Sequence, residues 1–352
     1  MSLDSQLQSI WYGNSRIAWL LLPLSWLFGA IVATRRWLYR TGLLHTVKVS
    51  KPIIVVGNIT VGGTGKTPLV IWLAQALSTQ GFKVAVIARG YGGKSTNWPQ
   101  LVTRDSNPDS VGDEPVLIAQ QTNAIVVVGP DRVADARRSI ELGADVIVSD
   151  DGLQHYRLHR DCELAVIDGS RHVGNGHLIP AGPLREFPQR LTQVDLLLTN
   201  QRDGKLPDNL LTNDPLKSAL QGGLHYRVEL TQLRSLKSST VRALDSFRDQ
   251  QVHVVTGIGN PQAFLASLER HGIRVRSRVL PDHAIITQQD ISFADSLPVI
   301  MTAKDAVKCR SLEVDERYWV ADAHIVMDAA SAERLLGCVR KAIRQFSYIT
   351  SQ

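Results

Sequence analysis

The sequence predicts an α/β fold built on a doubly wound parallel sheet, and three observations support this prediction. Short apolar runs rich in Val and Ile recur along the chain, as expected for strands that are covered on both faces. Amphipathic segments of helical length separate the earlier runs, which is the alternation that builds parallel sheets. A glycine-rich loop stands between the first core strand and the first core helix.

The composition is that of an ordinary globular protein, and 352 residues suffice for two domains. The formal net charge is +6, and this basic excess suits an anionic membrane surface or a phosphorylated substrate. No long Lys/Arg run indicates a nucleic-acid partner, and no obligate protein partner is inferred. Cys162, Cys309 and Cys338 are too far apart in sequence for a metal motif or a disulfide framework, which indicates a reducing compartment.

Residues 1–45 are predicted to form a membrane-associated helix ahead of the core. The uncharged run at 17–34 is just long enough to cross a bilayer, and Trp and Tyr residues flank it like interfacial anchors. Arg35, Arg36 and Arg40 follow it, so the positive-inside bias predicts that the rest of the chain stays in the cytoplasm. A helix that dips into one leaflet, a buried core helix and a cleaved signal peptide are the alternatives, and the long polar start argues against the last.

The loop at residues 60–67 has the setting of a nucleotide phosphate loop, between an apolar and an amphipathic run. Its backbone N–H groups and the start of the following helix would bind phosphate oxygens. Lys66 would reach the β- and γ-phosphates, and the Thr67 hydroxyl would hold Mg²⁺. The generic motif has glycine at the position of Thr60. The predicted nucleotide-binding residues are Thr60, Val61, Gly62, Gly63, Thr64, Gly65, Lys66 and Thr67.

Residues 46–222 are predicted to form the P-loop core, and residues 223–352 a second, smaller α/β domain. A polar, turn-rich segment at 203–220 is predicted to be a surface loop near the boundary. The predicted strands are 53–57, 84–88, 125–128, 145–149, 164–168, 194–199, 224–230, 252–256, 273–280, 298–302 and 318–321. The predicted helices of these two domains are 68–79, 114–121, 131–142, 261–270 and 329–345.

Carboxylates stand at two element boundaries where ligands of such sheets bind. Asp150 and Asp151 follow an apolar strand, and such an aspartate can hold Mg²⁺ beside a phosphate loop. A plain Asp-Gly turn is the structural alternative. Asp113 and Glu114 could supply a general base and a metal ligand, but from spacing alone we prefer capping of the helix that follows.

Three further motifs have both functional and plain structural interpretations. The Asp282-His283 pair could orient an imidazole for proton transfer, although a surface turn is the usual explanation. Arg185 follows a Gly-Pro turn and could bind a phosphate, but an exposed salt-bridged loop is equally compatible. Arg89 opens a glycine-rich segment at the end of the second core strand, where a phosphate or substrate loop is expected.

Taken together and in order, these motifs resemble one family closely, the tetraacyldisaccharide 4′-kinases, which are the lipid A 4′-kinases of Gram-negative bacteria. The resemblance runs from the N-terminal apolar helix to the final strands, and Thr60 matches this family's own variant of the loop. The motifs are GNITVGGTGKTP (57–68), ARGYGG (88–93), VGDEP (111–115), GPDR (129–132), SDDGLQH (149–155), DG (168–169), GPLRE (182–186), TGIGNP (256–261), LPDH (280–283) and TAKDAVK (302–308).

The resemblance implies an ATP-dependent lipid kinase at the cytoplasmic face of the inner membrane. It would transfer the γ-phosphate to the 4′-hydroxyl of a tetraacyldisaccharide 1-phosphate, a late step of lipid A biosynthesis. It also implies individual roles: catalysis by Asp113 as the base with His283, and by Lys66; Mg²⁺ binding by Thr67, Glu114 and Asp150; and substrate binding by Arg89, Asp151, His155 and Arg185.

Two other functions remain open at this point. A membrane-associated P-loop nucleotide switch or ATPase would need no lipid acceptor. A cytosolic P-loop kinase of small molecules would use the N-terminal segment as a core helix. Residues 302–305 read T-A-K-D, the wrong order for the guanine motif [NT]-K-x-D, so the sequence does not support a GTPase.

Overall fold

A computed structural model describes residues 3–13, 15–201 and 214–350 of this protein. In that part of the chain, the sheet has thirteen strands. The strands are β1 (Ile53–Gly57), β2 (Val84–Ala88), β3 (Gln100–Val102), β4 (Ile125–Val128), β5 (Val146–Asp150), β6 (Cys162–Asp168), β7 (Leu196–Asn200), β8 (Leu224–Ser235), β9 (Val241–Ala243), β10 (Gln251–Thr256), β11 (Arg274–Val279), β12 (Val299–Thr302) and β13 (Tyr318–Val326). The helices are α1 (Leu3–Tyr12), α2 (Ile17–Arg40), α3 (Lys66–Thr79), α4 (Pro108–Val111), α5 (Asp113–Gln121), α6 (Arg132–Glu141), α7 (Asp214–Gln221), α8 (Pro261–Arg270), α9 (Gln288–Ile291), α10 (Ala303–Ala306) and α11 (Ala329–Thr350).

The strands form one sheet in the order β11-β10-β12-β13-β8-β7-β6-β1-β5-β2-β4-β3, with β9 paired to β8. Neighbours from β8 to β4 along this order are parallel, and so are those from β11 to β13. β8 pairs with β13 in antiparallel fashion and is therefore shared by the two halves of the sheet. It begins at Leu224, directly after the predicted domain boundary at residue 222.

Helices cover both faces of the sheet, which confirms the predicted doubly wound class. In β1, Ile54 and Val56 pack in one apolar cluster with residues of α3 and α11, whereas Ile53 and Val55 pack in another with residues of α6 and α7. Each buried Ile or Val side chain contributes about 1.5–3 kcal/mol. Burial on both faces is the reason that strands appear in the sequence as continuous apolar runs.

Short elements account for most differences from the prediction. All eleven predicted strands are present, and the two that were missed, β3 and β9, have three residues each. The prediction of a loop at 203–220 is wrong for its last residues, because α7 begins at Asp214. Leu216 and Leu220 of α7 lie one helical turn apart and are buried, which stabilises a helix there. Residues 203–213 of that predicted loop lie outside the described residues.

The apolar α2 lies along the surface of the core. Its buried face consists of Ala18, Ser25 and Gly29, and the Ser25 hydroxyl donates a hydrogen bond of 2.7 Å to the carbonyl oxygen of Leu178. The side chains of Trp19 and Leu20 on the other face are 72% and 79% exposed. The alternative of a buried core helix is therefore wrong. By length and composition alone, α2 could also cross a membrane.

Candidate active site

The loop at residues 60–67 connects the end of β1 to the start of α3, as predicted. Gly65 caps α3 with a φ of +90°, a left-handed conformation that favours glycine. A Cβ atom at Gly65 would also lie 2.4 Å from Nδ2 of Asn200, so any larger residue would clash there. The seven positions from Val61 to Thr67 line a large cavity.

Thr60 anchors this loop from the protein interior. Its side chain is buried, and Nδ2 of Asn58 donates to its carbonyl oxygen at 2.9 Å and to its hydroxyl at 3.2 Å. The backbone N–H of Val61 donates to the carbonyl oxygen of Pro183 at 2.8 Å. The Thr60 hydroxyl is thus bound by Asn58, and the backbone of Val61 fixes the loop against the segment that carries Arg185.

Two polar side chains from neighbouring strands hold the loop from the other side. Nδ2 of Asn200, at the end of β7, donates to the carbonyl oxygen of Thr64 at 3.1 Å. The hydroxyl of Tyr226, on β8, donates to the carbonyl oxygen of Gly65 at 2.9 Å. The sequence prediction missed both residues. Asn200 directly follows the predicted strand 194–199, which is a signal that could have found it, whereas Tyr226 lies near the start of β8 and is paired with Asn200 in the sheet.

Asp151 holds two of the predicted cations beside the loop. Its carboxylate lies 3.4 Å from Nζ of Lys66 and 2.8 Å from Nη1 of Arg185. Burial raises the pKa of Asp151, but the two positive charges outweigh it and hold this pKa well below its usual range. Nζ of Lys66 also donates to Oδ1 of Asn58 at 3.1 Å. The ammonium group of Lys66 is therefore positioned before any ligand binds.

Asp150 is a buried carboxylate that lacks a compensating partner. Its Oδ1 atom has no hydrogen bond from any described residue. Burial and the negative charge of Glu114 raise the pKa of Asp150 to about 7, and the charge of Lys66 offsets this only in part. A divalent cation beside Asp150 would offset both the cost of burying this carboxylate and its repulsion by Glu114. These residues therefore fit such an ion.

The protein alone would not complete the coordination of that cation. Among residues 3–13, 15–201 and 214–350, no three His, Cys, Asp or Glu side chains form a group that could hold a metal ion. Mg²⁺ is usually bound by one or two carboxylates, water and substrate phosphates. Thr67 and Glu114 line the same cavity as Asp150, so the predicted trio suits a metal ion that shares its ligands with a phosphate.

Asp113 and His283, 170 residues apart in sequence, form a hydrogen-bonded pair with 3.1 Å between Oδ2 and Nδ1. Burial of Asp113 opposes its ionisation, but the bond to His283 and the nearby lysine charges outweigh burial, so the pKa of Asp113 is lowered. The same bond raises the pKa of His283 against the opposing effects of burial and Lys304. The preference for helix capping at Asp113 is wrong, because Gly112 occupies the N-cap of α5 and Asp113 is its first residue.

Lys304 links the Asp113–His283 pair to the carboxylate of Glu114. Its Nζ lies 3.0 Å from Oε1 of Glu114 and 3.3 Å from Nε2 of His283. An ammonium group can only donate, so Nε2 accepts, and the proton on Nδ1 faces Asp113. The sequence prediction gave Lys304 no role, although it lies in the motif at 302–308.

Arg89 and His155, predicted to bind substrate, both lie on the wall of the cavity. Arg89 is exposed at the end of β2. Burial of His155 and the nearby charge of Arg132 lower the pKa of its imidazole to about 4. His155 is therefore neutral at physiological pH and can act as a hydrogen-bond partner without adding charge.

One cavity is lined by the phosphate loop, Glu114, Asp150, His283 and Lys304, and it continues to the N-terminal helices. Its volume is about 2370 Å³, well above the roughly 300–1,000 Å³ of an ordinary small-molecule pocket. Beyond the loop at 60–67, its wall includes Phe28, Ile31 and Arg35 of α2. The cavity therefore has room for two ligands, one of them beside the apolar helix.

Comparison with known proteins places the chain in a family. The family described as tetraacyldisaccharide-1-P 4′-kinase matches residues 17–340. The tetraacyldisaccharide 4′-kinase of Nitrosococcus oceani is 44% identical over 95% of this chain and 94% of its own length, and that of Haemophilus influenzae is 42% identical over 92% and 94%. The "apo" form of LpxK from Aquifex aeolicus in complex with ATP is 26% identical, with a TM-score of 0.76 over 93% of this chain and 99% of that one. The chain belongs to the tetraacyldisaccharide-1-P 4′-kinase family.

Proposed function

We propose that this protein is an ATP-dependent lipid kinase that phosphorylates the 4′-hydroxyl of a tetraacyldisaccharide 1-phosphate. The observation that carries the proposal is one cavity lined by the phosphate loop, by the apolar α2 and by His283, which is hydrogen-bonded to Asp113. A nucleotide switch has no need for an oriented acid–base pair beside a lipid-facing helix. The names of the relatives and the ATP complex of the Aquifex protein agree with this function.

Phosphoryl transfer depends on positioning and on neutralised charge more than on covalent chemistry. The loop amides and Lys66 would bind the ATP phosphates, with Arg89 and Arg185 as further cations at the cavity. Thr67, Glu114 and Asp150 would hold Mg²⁺, which neutralises phosphate charge when it is bound. Asp151 would keep Lys66 and Arg185 in position, and His155 would contact the acceptor as a neutral hydrogen-bond partner.

The Asp113–His283 pair would take the proton from the attacking hydroxyl. Two arrangements fit this step: Asp113 as the direct base with His283 assisting, or His283 as the group that meets the hydroxyl. The side chain of Asp113 is 5% exposed and that of His283 is 25% exposed, and of the two only His283 lines the cavity. This burial favours His283 as the contact and Asp113 as the group that orients it.

The direct test is a transfer assay with the purified protein, ATP, Mg²⁺ and the disaccharide lipid in detergent micelles. We expect the lipid to gain one phosphate, measured by mass spectrometry, in step with the ADP formed. ATP hydrolysis by folded protein without any phosphorylated lipid would reject the kinase and favour the nucleotide switch or ATPase.

Tyr226→Phe tests whether β8 sets the conformation of the phosphate loop. The substitution removes only the hydroxyl that bonds to the carbonyl oxygen of Gly65. One such hydrogen bond contributes about 1 kcal/mol, so we expect roughly a fivefold rise in KM for ATP. Tyr318→Phe is the matched control, because that hydroxyl, on β13 in the other half of the sheet, donates to the carbonyl oxygen of Ile291 at 3.0 Å. Equal effects of the two variants would contradict a specific role for Tyr226.

We propose further that α2 lies in the cytoplasmic surface of the inner membrane. The helix is docked along its length, since Ser25 binds Leu178 and Nη1 of Arg35 donates to the carbonyl oxygen of Gln154 at 3.1 Å. Docking of this kind leaves one broad apolar face for the acyl region, and it places Arg36 and Arg40 near anionic headgroups.

Leu20→Glu tests this placement, because Leu20 is 79% exposed. Removing a buried Leu side chain from lipid costs at least about 1.5 kcal/mol. We therefore expect vesicle binding to weaken roughly tenfold or more, measured by co-sedimentation with vesicles that contain phosphatidylglycerol. Val241→Glu on the exposed β9 is the control, and transfer to lipid in detergent micelles should not change in either variant. Unchanged vesicle binding of the Leu20 variant would exclude this face of α2 from the membrane contact.

A further inference from the structure

The loop after β6 presents an arginine that none of the steps above uses. Asp168 ends β6, and its Oδ1 accepts hydrogen bonds from the Ser170 backbone at 2.9 Å, the Ser170 hydroxyl at 2.6 Å and the Arg171 backbone at 3.3 Å. β6 is a direct neighbour of β1 in the sheet, so this ordered turn lies at the same edge as the phosphate loop. The motif Asp168-Gly169 of the sequence analysis therefore determines where Arg171 stands.

The side chain of Arg171 stacks on α1. Its guanidinium carbon lies 5.1 Å from the centre of the Tyr12 ring. Tyr12 packs in one apolar cluster with Trp11 and with Val61 of the phosphate loop. Nε1 of Trp11 donates to the carbonyl oxygen of Pro180 at 2.9 Å, which fixes α1 in place. Arg171 is thus held close to the phosphate loop, on the side of the cavity that the N-terminal helices form.

Four other cations of the cavity already pair with carboxylates. Lys66 and Arg185 share Asp151, Lys304 pairs with Glu114, and Arg132 pairs with Asp135. Within residues 3–13, 15–201 and 214–350, no carboxylate forms an ion pair with Arg171. A guanidinium stacked on an aromatic ring keeps its edge N–H groups available, and that edge matches the oxygens of a phosphate.

We propose that Arg171 binds the phosphate that the acceptor lipid already carries and so makes it a determinant of substrate specificity. This inference rests on the proposed function, in which the acceptor is a 1-phosphate that reacts at a hydroxyl on its other sugar. Arg171 reaches the cavity from the β6 side, whereas His283 reaches it from the loop after β11. Two separate contacts, one to the phosphate and one to the hydroxyl, would fix the direction of the disaccharide in the site.

The test compares Arg171→Gln with wild type on two acceptors, the disaccharide lipid with its 1-phosphate and the same lipid without it. Both are presented in neutral detergent micelles free of anionic phospholipid. We expect wild type to prefer the phosphorylated lipid, and the variant to lose about 10- to 100-fold in kcat/KM on that lipid alone, as expected for a charge-assisted contact. KM for ATP and the rate on the lipid without phosphate should stay unchanged, and Arg171→Lys should restore part of the preference.

Arg35→Gln is the matched control, because Arg35 lines the same cavity and also stacks on a tyrosine, Tyr39, at 5.7 Å. The proposal is overturned if Arg171→Gln keeps the preference, if it slows both acceptors equally, or if Arg35→Gln removes the preference instead. A defect of Arg171→Gln that appears only with vesicles of phosphatidylglycerol would assign Arg171 to membrane headgroups and also overturn it. If wild type phosphorylates neither lipid, the proposed function itself fails, and this outcome differs from all the others.

Discussion

Lys66→Ala should lower the rate of lipid phosphorylation by at least about 10³-fold, the scale of losing a preorganised cation at a transferring phosphoryl group. Asn58 and Asp151 already hold the Lys66 ammonium at 3.1 Å and 3.4 Å, so wild type spends little free energy on ordering it. Among the residues that the structure describes, Asp151 forms ion pairs only with Lys66 and Arg185, so in the variant it retains only the Arg185 partner.

The measurement is the initial rate of phosphate transfer at saturating ATP, with the melting temperature as a check on folding. Lys51→Ala is the control, because Lys51 forms an ion pair of 3.3 Å with Asp145 at the opposite edge of the sheet. That variant should keep nearly full activity, since exposed pairs contribute at most about 1 kcal/mol to stability. A folded Lys66 variant within tenfold of the wild-type rate would refute the assignment of Lys66 to phosphate binding.

Sequence patterns predicted the longer strands and missed the two strands of three residues, β3 and β9. The runs at β1 and β5 are buried at every position, so their chemistry alone identifies them as strands. All three residues of β9 are exposed, and it exists because the backbone of β8 offers hydrogen bonds to it. No pattern in three exposed residues can report a partner that tertiary structure supplies.

The candidate site also contains one part that the local sequence predicts and another that only the fold brings together. The phosphate loop is a local motif, so residues 60–67 were predicted from the sequence in their correct setting. Asp113 and His283 meet only because β8 joins the two halves of the sheet, and spacing alone favoured simpler explanations for both. Family resemblance implied their pairing, and the 3.1 Å contact now supplies a physical basis for it. Tyr226 escaped prediction because a tyrosine in a strand is usually a packing residue.

Removing either member of the Asp113–His283 pair should have the second large effect. We expect Asp113→Asn and His283→Gln each to lower kcat by about 10²–10⁴-fold, the usual range for a general base, with little change in ATP binding. If the two act as one unit, the double variant should be about as slow as the single ones. His253→Gln is the matched control, since His253 forms a similar bond of 2.8 Å with Asp295 away from the cavity. If the fold-losses in kcat of the two single variants instead multiply in the double variant, Asp113 and His283 act in separate steps.

The pH profile of kcat/KM decides which member of the pair receives the proton. The pKa of His283 lies above its ordinary 6.5, so lowering the pH through that raised value protonates the imidazole and leaves it unable to accept a proton. If His283 meets the hydroxyl, activity should fall on the acid side while the pH is still above 6.5, and His283→Gln should abolish this limb. The pKa of Asp113 lies below its ordinary 3.8, so a direct Asp113 base would keep its activity until the pH fell below that value. An acid limb near neutral pH that His283→Gln abolishes therefore assigns the proton to the imidazole, and the absence of such a limb assigns it to the carboxylate.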